Sequence, residues 1–256
     1  MLLAIDAGNT NITLGVFRSD ALIAEWRIAT DHAKDSEEYA ADLEDLFQSA
    51  CLHTKQIDDV MIASVVPPLD QTLTRMVQKC FQVAPLFVNH TVDTGLKILY
   101  DAPTDVGADR IVDAVAAVTK YGAPCIVVDF GTATTFNAIN AEHEYLGGVI
   151  APGIMISAEA LFLRAAKLPR VEIKRPEKVI GSSTVGAMQS GLYHGYAGLV
   201  DGVLEQMIAE MNTKPRVIAT GGLAPLIADA SKFIETVDST LTLDGLRLVY
   251  ERTKQV

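Results

Sequence analysis

Two short turns in the sequence carry residue types that could bind a phosphorylated ligand. Asp6-Ala-Gly-Asn-Thr10 and Asp129-Phe-Gly-Thr-Ala-Thr134 each follow an apolar run and combine a carboxylate, a glycine and hydroxyl or amide groups. Glycine lets the backbone approach a ligand closely, and successive N–H groups in such a turn form an anion-binding concavity. The carboxylates could contact a cation that bridges phosphate oxygens. If the two turns face one another, they would bind a triphosphate from both sides.

Other interpretations of these turns are weaker. A single Asp-x-Gly turn is commonly an ordinary hairpin, but two in corresponding positions favour ligand binding. Asp-Phe-Gly also occurs in protein kinases, yet the other protein-kinase motifs are missing, as are the P-loop and the dinucleotide fingerprint. Thr220-Gly221-Gly222 follows the predicted strand Val217–Ala219. This glycine pair could offer a flat surface to adenine or ribose, or it could be a plain tight turn.

A third motif, Gly107-Ala-Asp109-Arg110, opens a predicted helix over Ile111–Tyr121. Asp109 could be the N-cap of this helix. Alternatively, its carboxylate, ionised beside Arg110, takes part in chemistry, and the Arg110 guanidinium binds a substrate carboxylate or phosphate. Lys and Arg number 21 against 32 Asp and Glu, which gives a net charge of −11. An anionic substrate would need a local positive group to approach such a chain.

The elements that must position these motifs repeat between the two halves of the chain. Asp6 and Asp129 lie 123 residues apart in a chain of 256, which indicates a duplication into two lobes with a cleft between them. A capping box at Asp35 and Glu38 predicts a helix start, and Gly122 is the predicted C-cap of the helix that connects the halves. The predicted strands are Leu2–Ala7, Asn11–Phe17, Leu22–Ala29, Val60–Val66 and Leu86–Val88, then Cys125–Phe130, Thr134–Asn140, Tyr145–Ile150, Val217–Thr220 and Phe233–Val237.

Composition narrows the class of protein. Hydrophobic residues make up 49% of the chain, which is enough for a full core, and no apolar run is long enough to span a membrane. The negative charge argues against partners such as nucleic acid or an anionic membrane surface. Cys51, Cys80 and Cys125 form no Cys-x-x-Cys pair, so we expect them to be reduced, buried and inert. Together with the absence of a secretory signal, this predicts a cytoplasmic protein.

Four glycines recur along a predicted helix at 185–212, where each costs about 1 kcal/mol relative to alanine. They are Gly191, Gly195, Gly198 and Gly202. Such a stripe predicts a neighbour whose backbone approaches closely. That neighbour is either another part of the same subunit or a second copy across a twofold axis.

Six motifs, in order and in register, give the chain a resemblance to type III pantothenate kinases. They are DAGNTNITLGVF at 6–17, GADR at 107–110, DFGTATTFNAI at 129–139, GGVIAPGI at 147–154, IGSSTVGAMQSG at 180–191 and TGG at 220–222. The resemblance covers essentially the whole chain. It implies an α/β protein of two duplicated actin-like (ribonuclease H-like) lobes with mixed five-stranded sheets flanked by helices. We expect these lobes at residues 1–117 and 118–256, with ATP between them.

The resemblance also implies an activity and roles for residues. The family uses ATP to phosphorylate pantothenate to 4′-phosphopantothenate in coenzyme A biosynthesis, and its members are homodimers that require K⁺ or NH₄⁺ along with Mg²⁺. Asp109 would be the proton acceptor, and Asp129 would bind the monovalent cation. The implied ATP-binding residues are Asp6, Ala7, Gly8, Asn9, Thr10, Asn11, Ile12, Thr13 and Thr132, and the implied pantothenate-binding residues are Tyr100, Gly107, Ala108, Asp109, Arg110 and Thr184.

Two alternatives remain beside this kinase. One is a relative on the same fold that phosphorylates another hydroxyl or hydrolyses phosphate. The other is a regulator that binds nucleotide without catalysis. Asp6, Asp109 and Asp129 argue against the regulator, because a binding module has no need of a base beside its cleft.

Overall fold

The computed structural model describes residues 1–254, which contain eleven strands and seven α-helices. The strands are β1 (Leu2–Ala7), β2 (Asn11–Arg18), β3 (Ala21–Ala29), β4 (Asp59–Ser64), β5 (Leu86–Phe87), β6 (Lys97–Ile98), β7 (Cys125–Phe130), β8 (Ala133–Ile139), β9 (Glu144–Pro152), β10 (Arg216–Thr220) and β11 (Thr236–Val237). The helices are α1 (Ser36–Ser49), α2 (Pro67–Phe81), α3 (Ala108–Tyr121), α4 (Ile154–Arg164), α5 (Thr184–Met211), α6 (Ala224–Ala228) and α7 (Leu241–Thr253).

The strands form two sheets with the same topology. The first has the order β3-β2-β1-β4-β5, and five strands of the second repeat it as β9-β8-β7-β10-β11. In each sheet the central strand pairs antiparallel with the next strand in the chain and parallel with the fourth. The predicted duplication into mixed sheets is confirmed. The second sheet departs from the expected five strands, because β6 adds a sixth at its edge, parallel to β9.

The central strands explain why the two halves have similar sequence patterns. β1 and β7 are almost continuously apolar because each is covered on both faces, and every residue in them is buried except the half-buried Asp6 and Asp129. In the first half, β1, β2, α1, β4 and α2 share one hydrophobic core. In the second, β7, β8, α5, β10 and α6 share another. The motif turns therefore project from the ends of rigid strands.

Helix boundaries follow local chemistry, with one correction. Asp35 accepts hydrogen bonds from the first turn of α1 while Glu38 accepts one from the backbone of Asp35, as the capping box predicted. Gly122 ends α3 with φ +83°, as expected for a C-cap. The predicted strand Val60–Val66 was expected to be closed by Pro67 and Pro68, but β4 ends at Ser64 and this role of the prolines is wrong. They open α2 instead, because proline fits the first turn of a helix, where its missing N–H has no partner to lose.

The chain forms two compact units. The first comprises Met1–Gly95, Asp101–Ala116 and the chain from Thr242 onward, and the second comprises Leu96–Tyr100 and Ala117–Leu241. The expected division at residue 117 coincides with a unit border inside α3, but α7 packs with the first unit. Within that unit Gly245 of α7 lies against the main chain of Val112 of α3, where a β-carbon would collide. The division into two lobes as domains stays a prediction.

The cysteines differ partly from expectation. Cys125 is buried and Cys80 half-buried, and burial raises the pKa of their thiols to about 12 and about 11. Burial therefore favours the thiol over the reactive thiolate at both positions. Cys51 is exposed, so the prediction of three buried cysteines is wrong for this one, which follows the last turn of α1. None of the described helices is both long and apolar enough to cross a membrane.

Candidate active site

The first turn is fixed by the strands around it. In the β1–β2 register Asp6 lies opposite Thr13, and the N–H of Gly8 donates to the carbonyl of Asn11 at 3.0 Å. Thr30, just after β3, donates its hydroxyl to the Gly8 carbonyl at 2.6 Å and its N–H to the Thr10 carbonyl at 2.9 Å. The turn is therefore held from outside as well as within. Its remaining amides and side chains are presented at the sheet edge.

The residues of this turn divide by burial. Asn9 and Thr10 are exposed, and Asp6 and Gly8 are half-buried. The side chains of Ala7 and Ile12 belong to the hydrophobic core, so only their main chains could contact ATP. The predicted ATP-binding segment thus offers side-chain groups at its tip and backbone groups along its flanks.

The Asp109 motif lies at the same sheet edge in the first unit. Parallel pairing of β1 with β4 puts Ser64 beside Ala7, and the N–H of Val65 donates to the Ala7 carbonyl at 3.1 Å. The side chain of Val65 in turn lies against Gly107, where a β-carbon would be 3.3 Å from Cγ1. Val65 therefore links the Asp6 turn to the Gly107–Arg110 motif. The structure brings together two motifs that the sequence separates by about 100 residues.

Asp109 is the second residue of α3, so its interpretation as the N-cap is wrong. Its Oδ1 accepts the N–H of Arg110 at 2.7 Å, and Gly107 makes room for the carboxylate. Burial raises the pKa of Asp109, and this effect outweighs the lowering by the Arg110 N–H and guanidinium. A carboxylate with a raised pKa is a stronger proton acceptor, as a general base requires. Arg110 is itself buried, with 7% of its surface exposed.

The second turn has an equivalent position in the second unit. Asp129 lies near the carboxyl end of β7, opposite Thr135 of β8 and beside Thr220 of β10. Because β7 and β10 are parallel, the Thr220-Gly-Gly motif and the Asp129 turn emerge at the same edge. Just as Thr30 supports the first turn, Gly153 after β9 lies against the second, where a β-carbon would be 2.9 Å from the Gly131 carbonyl.

Two glycines flank the Asp129 carboxylate. A β-carbon at Gly131 would lie 2.9 Å from Oδ2, and a β-carbon at Gly221 would lie closer still to Oδ1. Any side chain at either position would fill the space around the carboxylate. Among the described residues, no group of three or more His, Cys, Asp or Glu could hold a metal ion. The half-buried Asp129 carboxylate and the main-chain carbonyls near these glycines are oxygen ligands of the type that fits a monovalent cation.

The other predicted site residues lie in the second unit. Thr132 is half-buried at the tip of the Asp129 turn, and its carbonyl faces Gly153. Tyr100 is half-buried just after β6, with its ring centroid 6.5 Å from that of Tyr145. Thr184 is the exposed first residue of α5. That the two turns face one another stays a prediction.

Sequence reasoning missed residues that hold the motifs in place. Thr30, Val65 and Tyr145 carry no motif signal, because they act through strand pairing and packing. Gly153 had a signal, since it lies in the GGVIAPGI segment, although its contact with the Asp129 turn was not predicted.

Comparisons with known proteins agree on one family. A family model described as type III pantothenate kinase matches residues 2–206. Similar relatives include the type III pantothenate kinase of Koribacter versatilis, 53% identical over 264 residues, which cover 99% of this chain and 96% of the relative. That of Geobacter sulfurreducens is 53% identical over 255 residues and the full length of both chains.

Solved structures agree at the level of the fold. A protein from Campylobacter jejuni described as a Baf family transcriptional activator superposes with a TM-score of 0.63 at 18% identity, covering 99% of this chain and 100% of the other. The inorganic polyphosphate/ATP-glucomannokinase of an Arthrobacter strain gives 0.50 at 13% identity, covering 100% and 99%. The predicted actin-like fold is confirmed. With matching motifs, topology and full-length relatives, the chain belongs to the type III pantothenate kinase family.

Proposed function

We propose that this protein uses ATP to phosphorylate pantothenate to 4′-phosphopantothenate, the first step of coenzyme A biosynthesis. Membership of the type III pantothenate kinase family supports the reaction. The observation that supports it for this chain is the junction at Val65, which joins the Asp6 turn to the half-buried Asp109 carboxylate, whose pKa is raised by burial. A nucleotide-binding turn and a proton acceptor at one sheet edge are the two parts that phosphorylation of an alcohol needs.

In this mechanism Asp109 accepts the proton of the primary hydroxyl of pantothenate. The hydroxyl oxygen forms a bond to the γ-phosphorus of ATP, the bond from that phosphorus to the β,γ-bridging oxygen breaks, and ADP leaves. Because the transition state is loose, with charge spread over the phosphoryl oxygens, positioning and electrostatics do most of the catalysis. The segment Asp6–Thr13 and the residue Thr132 bind ATP and supply hydrogen-bond donors.

Pantothenate is bound by the motif around the base. Gly107 and Ala108 shape the pocket, and Tyr100 and Thr184 contribute further contacts. Arg110 supplies positive charge, either to the pantothenate carboxylate or to the transferred phosphoryl group. These two roles differ in their kinetic effect, because a carboxylate contact would act on the KM for pantothenate and a phosphoryl contact on kcat.

Two kinds of cation belong to the proposal. Mg²⁺ would enter with ATP, and the Asp129 carboxylate, which lies beside Gly131 and Gly221, would hold K⁺ or NH₄⁺. A bound monovalent cation supplies positive charge that counters the charge of the phosphates.

An assay of the purified protein tests this function. With ATP, Mg²⁺, pantothenate and KCl, we expect ADP release matched by an equal amount of phosphopantothenate, measured by mass spectrometry. Replacing KCl with NaCl should slow the reaction at least about tenfold, since loss of about 1.4 kcal/mol of stabilisation gives that factor. Asp129→Asn should remove most of the difference between the two salts.

Other outcomes of this assay assign the alternatives. ADP release without phosphopantothenate would indicate hydrolysis or another acceptor, and nucleotide binding without turnover would indicate a regulator. Equal rates in the two salts would contradict the role of Asp129.

We also propose that the active form is a homodimer built on the second unit. At Gly191, Gly195, Gly198 and Gly202 of α5, no described atom beyond the adjacent residues and the nearby helix backbone lies within 4 Å of the position that a β-carbon would occupy, so this glycine stripe faces open space. Intramolecular packing of the stripe would have placed a neighbour there. The same unit exposes apolar side chains, which a partner would cover. They include Ile150, Met155, Ile156, Leu163, Val179 and Ile180.

Sedimentation tests the dimer. We expect a mass of about twice 27.5 kDa for the wild type. Gly198→Leu should weaken the dimer while raising the helix propensity of α5 by up to about 1 kcal/mol, so dissociation cannot be attributed to an unstable helix. A wild-type protein of single-chain mass, or a Gly198→Leu variant that is only more stable and still dimeric, would contradict this interface.

We place the enzyme in the cytoplasm, where ATP is available and thiols stay reduced, in keeping with three cysteines that form no disulfide. The net charge of −11 supports small-molecule partners rather than nucleic acid or an anionic membrane.

A further inference from the structure

Tyr100 is carried by a short segment attached to the edge of the second sheet. The two residues of β6, Lys97 and Ile98, pair with β9, and the next residue, Leu99, donates its N–H to the Tyr145 carbonyl at 2.9 Å. Lys97 also forms an ion pair with Glu144 at 2.7 Å. The main chain next to Tyr100 is therefore fixed by β9.

The ring of Tyr100 rests on the same strand. Gly147 of β9 has φ +125°, and a β-carbon there would lie 3.4 Å from Cε2 and 3.5 Å from Cδ2 of Tyr100. The ring of Tyr145 lies beside it at a centroid distance of 6.5 Å and a tilt of 55°. Tilted pairs at this separation are favourable for aromatic rings. The Tyr100 ring thus packs against the main chain of β9 at Gly147 and against the ring of Tyr145.

Tyr145 is itself held by a buried chain of hydrogen bonds. It is 1% exposed, and its hydroxyl donates to Oδ1 of Asn137 at 2.8 Å. Asn137 is fully buried and donates its amide to the hydroxyl of Thr135 at 3.3 Å. Thr135 lies opposite Asp129 in the β7–β8 register. Buried, mutually bonded polar groups of this kind fix side-chain orientation.

We propose that Tyr145 and Gly147 are positioning residues that hold the Tyr100 ring in the orientation that binds pantothenate. This rests on the proposed function, in which Tyr100 contacts pantothenate. Without these two contacts, the half-buried Tyr100 side chain would have several conformers. Binding of pantothenate would then have to select one of them. The proposal also gives the first glycine of the GGVIAPGI segment a role, because its φ of +125° strains any other residue at the point where the main chain meets the ring.

The test compares the kinetics of Tyr145→Phe with those of the wild type. The variant keeps the ring but loses the bond to Asn137, so we expect the KM for pantothenate to rise about 2- to 10-fold, the range that corresponds to one lost hydrogen bond. The KM for ATP and kcat should stay within about twofold. Gly147→Ala is a second variant and should change the same parameter, because alanine disfavours φ +125° and the main chain that packs against the Tyr100 ring must shift.

A cycle with Tyr100→Ala separates positioning from general stability. In the Tyr100→Ala background, Tyr145→Phe should have no further effect on the KM for pantothenate, since the ring it positions is gone. Tyr250→Phe is a matched control, because it also removes a tyrosine–side-chain hydrogen bond, to Asp59 at 2.6 Å, but in the first unit on α7. Both KM values should be unchanged in this control.

Each outcome decides the proposal. Equal rises in the KM for ATP and pantothenate, or additive effects in the Tyr100→Ala background, would overturn the positioning role while leaving the proposed function intact. A wild-type protein that makes no phosphopantothenate would overturn the proposed function, and this inference with it. If Tyr145→Phe does not fold, Gly147→Ala gives the same readout by itself.

Discussion

The Asp109→Asn enzyme is expected to phosphorylate pantothenate about 10²–10⁴ times more slowly than the wild type, the usual contribution of a general base. An amide keeps the shape of the carboxyl group and can still accept the N–H of Arg110, but it cannot take the hydroxyl proton. The affinity for ATP should be unchanged, because Asp109 acts on the acceptor alcohol and not on the nucleotide. The measurements are kcat from ADP release and the Kd for ATP from calorimetry.

A matched control separates the base from a simple change of charge. Asp45→Asn makes the same substitution at an exposed position on α1 and should leave kcat unchanged. Near-normal turnover in Asp109→Asn would remove Asp109 from the chemical step, and loss of ATP binding would mean that the variant disturbed the Asp6 turn through Val65.

The pH profile gives a second readout of the same residue. A base works only when ionised, so the wild-type kcat/KM should fall as the pH drops through the pKa of Asp109. Because burial raises that pKa, the acid limb should lie above the ordinary aspartate value of about 3.9. The residual activity of Asp109→Asn should lack this limb. A wild-type limb at the ordinary value would contradict the burial of the carboxylate as the source of basicity.

The fold was predictable where sequence pattern and burial coincide. β1, β7 and their antiparallel neighbours were predicted to within about a residue, because apolar strands covered on both faces have few alternatives. The short strand β6 was not predicted, since two residues carry no periodicity and their pairing depends on where β9 lies. The predicted strand Val60–Val66 ran two residues past the end of β4, because proline at position 67 is compatible with both a strand end and a helix start.

The motif residues of the candidate site could be selected from the sequence, but the residues that hold those motifs in place could not. Asp6, Asp109 and Asp129 were selected by residue type and spacing, and the parallel pairing of β7 with β10 explains why Gly221 lies beside Asp129. The link through Val65 and the packing of Tyr100 against Gly147 and Tyr145 depend on strand register, which a single sequence does not specify. The raised pKa of Asp109 likewise depends on burial, which motif spacing does not reveal.

Gly221→Ala should strongly destabilise the second unit. Gly221 has φ +90°, and a β-carbon there would lie 2.7 Å from the carbonyl carbon and oxygen of Phe130 and would collide with Oδ1 of Asp129. Positive φ costs an L-residue about 1–2 kcal/mol, and overpacking adds about 1–3 kcal/mol. We therefore expect a loss of unfolding free energy of about 2–5 kcal/mol, or a fall in Tm of roughly 4–20 °C. The displaced Asp129 carboxylate should also abolish the dependence of the rate on KCl.

Gly122→Ala isolates the collision from the backbone strain. Gly122 has φ +83°, nearly the same as Gly221, but apart from its two chain neighbours no described residue has an atom within 4 Å of its β-carbon position. This control should lose only the strain energy of about 1–2 kcal/mol and should keep the stimulation by KCl. The excess loss in Gly221→Ala then measures how tightly β10 closes over the Asp129 turn. Equal losses in the two variants would mean that the main chain relaxes around the methyl group, and the flanking glycines would then not be what fixes the position of the Asp129 carboxylate.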